Sequence, residues 1–255
     1  MKFVKWKLML TTLPFVAAAV LVKVLLENFR DFHGIIEFSD IGMVITGGVF
    51  LIGVMLAGTM ADFKESEKLP GEIATTLETI EDTIETVGQA KPGFEMKEQK
   101  VKLLKLSTSI HDWLYKKITQ EQLFQEIENA KSIMDAIEKT GATAYAIRGL
   151  NELHNIRKMV TRVGVISRTG FLSTGYALLE VLTTVIIVLL ILSKFKSFLV
   201  EVILVSFVTQ IFVYMLRLIK DIDDPFEYEE GAAKGAAEVE LFPLEEYIIR
   251  AKTRI

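Results

Sequence analysis

Residues Leu51 to Ile73 read LIGVMLAGTMADFKESEKLPGEI. An apolar, small-residue run passes within a few positions into Asp62, Lys64, Glu65, Glu67 and Lys68, and then into Leu69-Pro70-Gly71. An apolar helix that enters dense charge this abruptly is the pattern of a helix leaving a bilayer on its cytoplasmic side. The composition agrees: 51% of the 255 residues are apolar and the mean hydropathy is +0.37, both high for a chain whose whole surface meets water.

Four segments reach the ~20 predominantly apolar residues that a span requires: Leu8 to Leu26, Ile41 to Met60, Phe171 to Ser193 and Phe198 to Leu218. The first is long for a signal-peptide core, carries Pro14 and Lys23, and ends at Glu27-Asn28-Phe29-Arg30 without a small-residue cleavage pattern. It is expected to stay attached. Lysine and arginine near span ends resist translocation. Lys2, Lys5 and Lys7 precede the first span, and Arg148, Arg157, Lys158, Arg162 and Arg168 crowd the approach to the third. Lys194 and Lys196 vote the other way and are outnumbered. Both termini and the segment Asp62 to Arg168 are therefore expected in the cytoplasm. Four divisions follow: 1–61 with spans one and two, 62–168 as a helical cytoplasmic domain, 169–219 with spans three and four, and 220–255 as a cytoplasmic tail.

The net charge of −4, with basic residues confined to span flanks, argues against a nucleic-acid partner. The absence of cysteine excludes disulfides and thiolate metal sites, and His33, His111 and His154 have no metal-ligand spacing among them. No phosphate-binding glycine loop, nucleophile elbow or paired catalytic carboxylates stand in a plausible setting, so neither an enzyme nor a cofactor is expected.

The expected fold is all-α, with a helical bundle inserted between spans two and three. Ile73, Leu77, Ile80, Ile84 and Val87 recur at alternating steps of 4 and 3 and form one stripe of a helix. Gly88 and Lys91-Pro92-Gly93 stop it. A second helix, Met96 to Lys117, carries Leu103, Leu106, Ile110, Trp113 and Leu114. Thr119-Gln120-Glu121-Gln122 has the spacing of a capping box and opens a third, with Leu123, Ile127, Met134 and Ile137, that ends at Gly141. Ala142 to Ser167 forms a fourth. The stripes fit bundle packing or subunit contacts. No stretch alternates at period two, so almost no sheet is expected.

Within the spans, Glu180 lies near mid-depth of the third and Gln210 at a similar depth of the fourth. A charge facing lipid costs several kcal/mol, so Glu180 is expected to face protein or water. A hydrogen bond between the two and a place on an ion path both remain open. Lys23 and Glu201 lie near outer span ends, where snorkelling or mutual pairing is expected. The second span is rich in small residues, Thr46, Gly47, Gly48, Gly53, Ala57, Gly58 and Thr59, which suit either close helix contact or a pore wall.

The opening stretch also resembles bestrophins and the shorter bestrophin-like membrane proteins of prokaryotes and plants. These follow their second span with a charged and aromatic block ending in Glu-x-Leu-Pro, and Phe63-Lys64-Glu65-Ser66-Glu67-Lys68-Leu69-Pro70 is similar to it, without its tryptophans. Their Asn-Pro-Phe or Asp-Pro-Phe element after the last span is matched by Asp224-Pro225-Phe226, and Glu238 to Leu244 resembles the group's ending. The resemblance implies a homopentameric channel for a small ion, commonly chloride or another anion, in the inner membrane of a prokaryote, with the second span lining its neck. Aligned on Glu67, Leu69 and Pro70, the neck positions fall on Ile45, Val49 and Gly53; bestrophins carry phenylalanine at the latter two. Their calcium clasp, an acidic run after Pro-Phe, is here reduced to Glu227, Glu229 and Glu230 before Gly231-Ala232-Ala233. Hard cations require several convergent oxygens, which three loop glutamates do not ensure, so no metal is assigned. Two other classes share the layout: an ion-driven stator-like component, which usually carries a proline early in its third span where this chain has none, and a non-conducting membrane scaffold or sensor.

Overall fold

The structure, a computed structural model, describes residues 4–30, 34–168, 173–228 and 237–255, and excludes the side chains of residues 4, 5, 29, 30 and 173. Lys2, His33, Phe171, Glu229, Glu230 and Gly231 to Ala233, used above, lie outside the described residues. In chain order the elements are α1 (Val4–Arg30), β1 (Ile36–Glu37), α2 (Phe38–Ser66), α3 (Leu69–Ala90), α4 (Met96–Leu114), α5 (Gln120–Asn129), α6 (Lys131–Lys139), α7 (Thr143–Arg168), α8 (Ser173–Leu192), β2 (Ser193–Lys194), α9 (Phe198–Asp223) and α10 (Phe242–Thr253). They divide into two compact units, one built on α1, α2, α8 and α9, the other on α3 to α7 with α10.

In the first unit α1 packs along α9, and α8 packs on both. Among the described residues, four helices are long and apolar enough to cross a membrane, over Trp6–Asn28, from Phe38 along α2, Thr174–Leu192 and Phe198–Asp223. The chain is an integral membrane protein with an all-α fold. Its shared core gathers Ile41, Ile52 and Met55 of α2, Leu179, Ile186 and Leu190 of α8, and Val205, Phe212 and Ile219 of α9.

Among the described residues the sheet is one parallel pair of two-residue strands, Ile36 opposite Ser193 and Glu37 opposite Lys194. It ties the α1–α2 connection to the α8–α9 connection. Gly34 permits the approach: its φ is +87°, and a Cβ there would stand 2.6 Å from the carbonyl carbon and oxygen of Ser193. Ile35 N–H donates to the Leu192 carbonyl at 2.9 Å.

The second unit is a water-type bundle. The stripe of α3 is fully buried, with α4, α7 and α10 packed on the helix. Leu103, Leu106 and Ile110 of α4, Leu123 and Ile127 of α5, and Ile156 and Val160 of α7 are buried as well. The stripes are packing faces within one chain. Thr119 caps α5 in both directions, its hydroxyl accepting from Gln122 N–H and its own N–H donating to the Gln122 side chain.

Two features differ from the sequence reading. The third helix is two, α5 and α6, broken at Ala130. The apolar stripe continues in phase across the break, but the Ser132 hydroxyl donates to the Asn129 carbonyl and competes with the helical ladder there. The tail also contains α10, opened by Pro243, whose Leu244, Tyr247, Ile248 and Ala251 are buried. Those positions follow an i, i+3, i+4, i+7 pattern, legible in the sequence over about two turns.

Candidate ion path and the polar residues of the spans

One side of α2 is committed to the chain's own core. Ile41, Gly48, Ile52, Met55 and Thr59 are buried, and steps of 3, 4 and 7 place them on one helical face. Gly48 is small by necessity, since a Cβ would come within 2.7 Å of Ile186 Cδ1 and 2.9 Å of Phe212 Cε1. Gly42, Gly47, Gly53 and Gly58 are different: a Cβ at any of them meets nothing within 4 Å. With Met43, Thr46, Phe50, Val54 and Ala57 they form the open face.

Val49 and Gly53 belong to that open face, whereas Ile45 is half-buried and packs against the core cluster. The three positions wind gradually from the packed side to the open side, because a step of four residues turns the helix by about 40° beyond a full turn.

Glu180 and Gln210 have separate partners. Gln210 Nε2 donates to Thr12 Oγ1 at 2.6 Å, and the Thr12 hydroxyl donates to the Met9 carbonyl at 2.6 Å, which fastens α9 to α1. Glu180 accepts from Lys220 Nζ at 2.5 Å, linking α8 to α9, and that ammonium lies 5.7 Å from the Tyr176 ring centre. Glu180 is seven residues after the start of α8, about 10 Å along its axis. Lys220 is three residues before the end of α9.

Lys23 and Glu201 pair and do not snorkel. The Lys23 side chain is 1% exposed; its ammonium donates to the Ser193 carbonyl at 2.8 Å and stands 3.8 Å from both Glu27 and Glu201. It also lies 5.7 Å from the Phe195 ring, which contacts Phe38 at 5.4 Å between centres. This buried charge holds α1, α9 and β2 at the end of the unit that carries the strand pair.

The family-like motifs stand at the ends of helices. The backbone turns at Glu67-Lys68, where Lys68 N–H donates to the Glu65 carbonyl at 3.1 Å, and α3 starts with Leu69 and Pro70, both buried. Proline in the first turn sacrifices no helical hydrogen bond. Glu67 pairs with Lys64 at 2.6 Å, and Arg162 makes a two-pronged contact to Glu65, 2.9 Å and 2.5 Å. Arg162 holds the Glu65 carboxyl below its ordinary range. Asp224 ends α9; Pro225 accepts from Val239 N–H at 3.0 Å, and Phe226 is buried edge-on to Tyr228 at 6.4 Å. The Tyr228 hydroxyl donates to the Val239 carbonyl at 2.7 Å, and burial pushes its pKa up. No group of three or more metal-ligating side chains occurs among the described residues.

No protein-family profile matches the sequence, nor does any curated protein sequence. Solved structures do match. Two single-residue variants of a bacterial bestrophin homologue from Klebsiella pneumoniae are similar to the chain. One has a TM-score of 0.74 and 12% identity, covering 97% of this chain and 98% of that one. The other has a TM-score of 0.73 and 13% identity, covering 96% and 97%. A variant of a membrane protein matches at 0.71 with 12% identity, covering 97% and 96%. Along nearly its whole length, therefore, the chain has the bestrophin fold.

Proposed function

We propose that the chain is the subunit of a homo-oligomeric ion channel that conducts small anions such as chloride, with a pentamer as the expected assembly. The observation that carries this reading is the bestrophin fold over 97% of the chain together with an α2 face that nothing among the described residues covers. The open face of α2 faces the symmetry axis, Val49 and Gly53 stand on the ion path, and Ile45 flanks them. Rings of apolar side chains at a narrow point gate by dewetting rather than by binding the ion. The stator-like reading has no comparable support, since several of the solved structures that match carry the bestrophin name.

In this reading the α3 to α7 bundle and both termini face the cytoplasm of a prokaryote, with the strand pair on the outer side. Reporter fusions at Lys91 and Ser197 should label opposite compartments; labelling on one side overturns the four-span topology. Purified protein in a planar bilayer should conduct without any second protein, and replacing chloride by a bulky anion should shift the reversal potential. A silent bilayer from intact oligomer overturns the channel reading.

A further inference from the structure

Two cations stand in the last turns of α9, and the chain serves them unequally. Lys220 has Glu180 at 2.5 Å. Arg217 makes no ion pair among the described residues, Asp221 one turn along its own helix included. Its guanidinium carbon lies instead 4.9 Å from the centre of the Phe15 ring on α1, and that ring is half exposed. α1 offers no countercharge nearby. Its first carboxylate is Glu27, which stands with Lys23 at the far end of the helix.

The pairing of α1 with α9 fixes where the guanidinium lies. Lys23 meets Glu201 and Thr12 meets Gln210, so the two helices run antiparallel. Phe15 is on the Lys23 side of the Thr12–Gln210 contact, and Arg217 is on the other. Side chains incline toward the N-terminus of their own helix, so in this pair the arginine and the ring lean toward each other. Snorkelling would carry the guanidinium toward the near end of α9, the opposite direction. The proposed ion path is also on another side. Phe212 packs at Gly48 of α2, and Arg217 is five residues further on, about 140° round the helix. On α1, Lys7, Thr11, Phe15, Ala18 and Val22 are all exposed at steps of 4, 4, 3 and 4, one winding row that passes from a cation through the ring to an apolar strip. Lys7, like Arg217, makes no ion pair among the described residues.

An arginine within an apolar span is costly without a countercharge. The described chain supplies none, and the protein is integral to a membrane, whose anionic lipids carry a phosphate above apolar chains. A planar guanidinium takes phosphate oxygens on its fork while its face stays on an aromatic ring. A nearby lysine adds attraction for the same lipids. We propose that the groove between α1 and α9 at Arg217, Phe15 and Lys7 binds the phosphate of an anionic phospholipid, with the acyl chains along Ala18 and Val22.

The test uses full-length protein in mild detergent, with bound phosphatidylglycerol and phosphatidylcholine counted by native mass spectrometry. Wild type should retain phosphatidylglycerol in preference. Arg217→Gln should weaken that retention about tenfold, the scale of one charged hydrogen bond, and Lys7→Gln should weaken it less. Arg217→Lys keeps the charge, loses the fork and should fall between Arg217→Gln and wild type. Phe15→Leu should weaken retention with no change in charge, which decides the matter if Arg217→Gln does not fold. Excess inorganic phosphate should leave the lipid in place; displacement makes this a site for the free anion and overturns the lipid as its occupant. Equal retention of the two lipids by wild type overturns the site, as does phosphatidylglycerol retention indifferent to both Arg217→Gln and Phe15→Leu. Loss of assembly in Arg217→Gln with lipid retention unchanged gives the arginine to a neighbouring copy and overturns it as well. Conductance has no part in these readouts, so failure of the site and failure of the channel reading are separate outcomes.

Discussion

Among the described residues, each unit of the protein buries one lysine against carboxylates, and the two sites are built differently. Lys23, 1% exposed in the spanning unit, has the Ser193 carbonyl at 2.8 Å and two glutamates at 3.8 Å. Lys100, 8% exposed in the bundle, has Glu85 at 2.5 Å and Glu81 at 3.7 Å, and Glu81 is met again by Arg254 at 3.2 Å. In the bundle, charge is plentiful and cations share a carboxylate. In the spans a single ammonium serves three chain segments. The difference teaches that a charge in an apolar helix is a fixed structural joint, while a charge in a water-facing helix is one of several that can substitute for one another.

That contrast predicts unequal losses. Lys23→Met leaves Glu201 buried without its ammonium, which should cost about 3–5 kcal/mol. The loss should be read as a fall in the thermal midpoint and in the yield of folded protein. Lys23→Met together with Glu201→Gln should recover much of it. Lys100→Met should cost about 1.5–3 kcal/mol, the scale of one charged hydrogen bond, since Arg254 still meets Glu81. Equal costs at the two positions would remove the distinction between joint and network.

Legibility in the sequence runs the opposite way. Where water is the solvent, periodicity marks the buried face: Ile73, Leu77, Ile80, Ile84 and Val87 were readable, and all are buried. In the spans both lipid and protein are apolar, and no more than 28% of any spanning window is buried within the chain, so the pattern does not distinguish inside from outside. Five glycines of α2 look alike in the sequence, yet Gly48 is packed and Gly42, Gly47, Gly53 and Gly58 are open. The spans instead advertise their charges. Lys23 stands out in an apolar run, whereas Lys100 is lost among Lys97, Lys102 and Lys105. Glu180 stood out too, but its partner did not, because Lys220 reads as an ordinary basic helix end.

The glycines of α2 sharpen the comparison at the next level of effect. Gly48→Val drives a branched side chain into Ile186 and Phe212, and over-packing of this kind costs about 1–3 kcal/mol. Gly53→Phe enters open space and should leave the unfolding midpoint of separated chains nearly unchanged. On the proposed function it narrows the neck and lowers single-channel conductance, while Val49→Ala raises it or leaves the channel leaky. An assembled Gly53→Phe oligomer with wild-type conductance would take α2 off the ion path. Failure of Gly53→Phe to assemble would make these glycines helix contacts instead.

The smallest effect belongs to the exposed pair of the bundle, Arg162 with Glu65, whose side chains are 41% and 46% exposed. The hydrogen bond from Arg162 depresses the Glu65 carboxyl, so its folded pKa lies below its unfolded value of about 4.3. A depressed carboxylate contributes stability that is present above the unfolded pKa and is lost as pH falls through the folded one. Exposure screens the pair, which limits the contribution to about 1 kcal/mol or less. Glu65→Gln should therefore lower the thermal midpoint slightly at pH 7, and the gap to wild type should close as the solution is taken below the carboxylate range. Raising the salt to about 1 M, where the screening length falls to ~3 Å, should close it at pH 7 as well. The same salt should leave the cost of Lys23→Met nearly intact, because a 1% exposed ammonium is out of reach of mobile ions. If salt erased both differences alike, Lys23 would be solvated, and the joint it makes between α1, α9 and β2 would not exist.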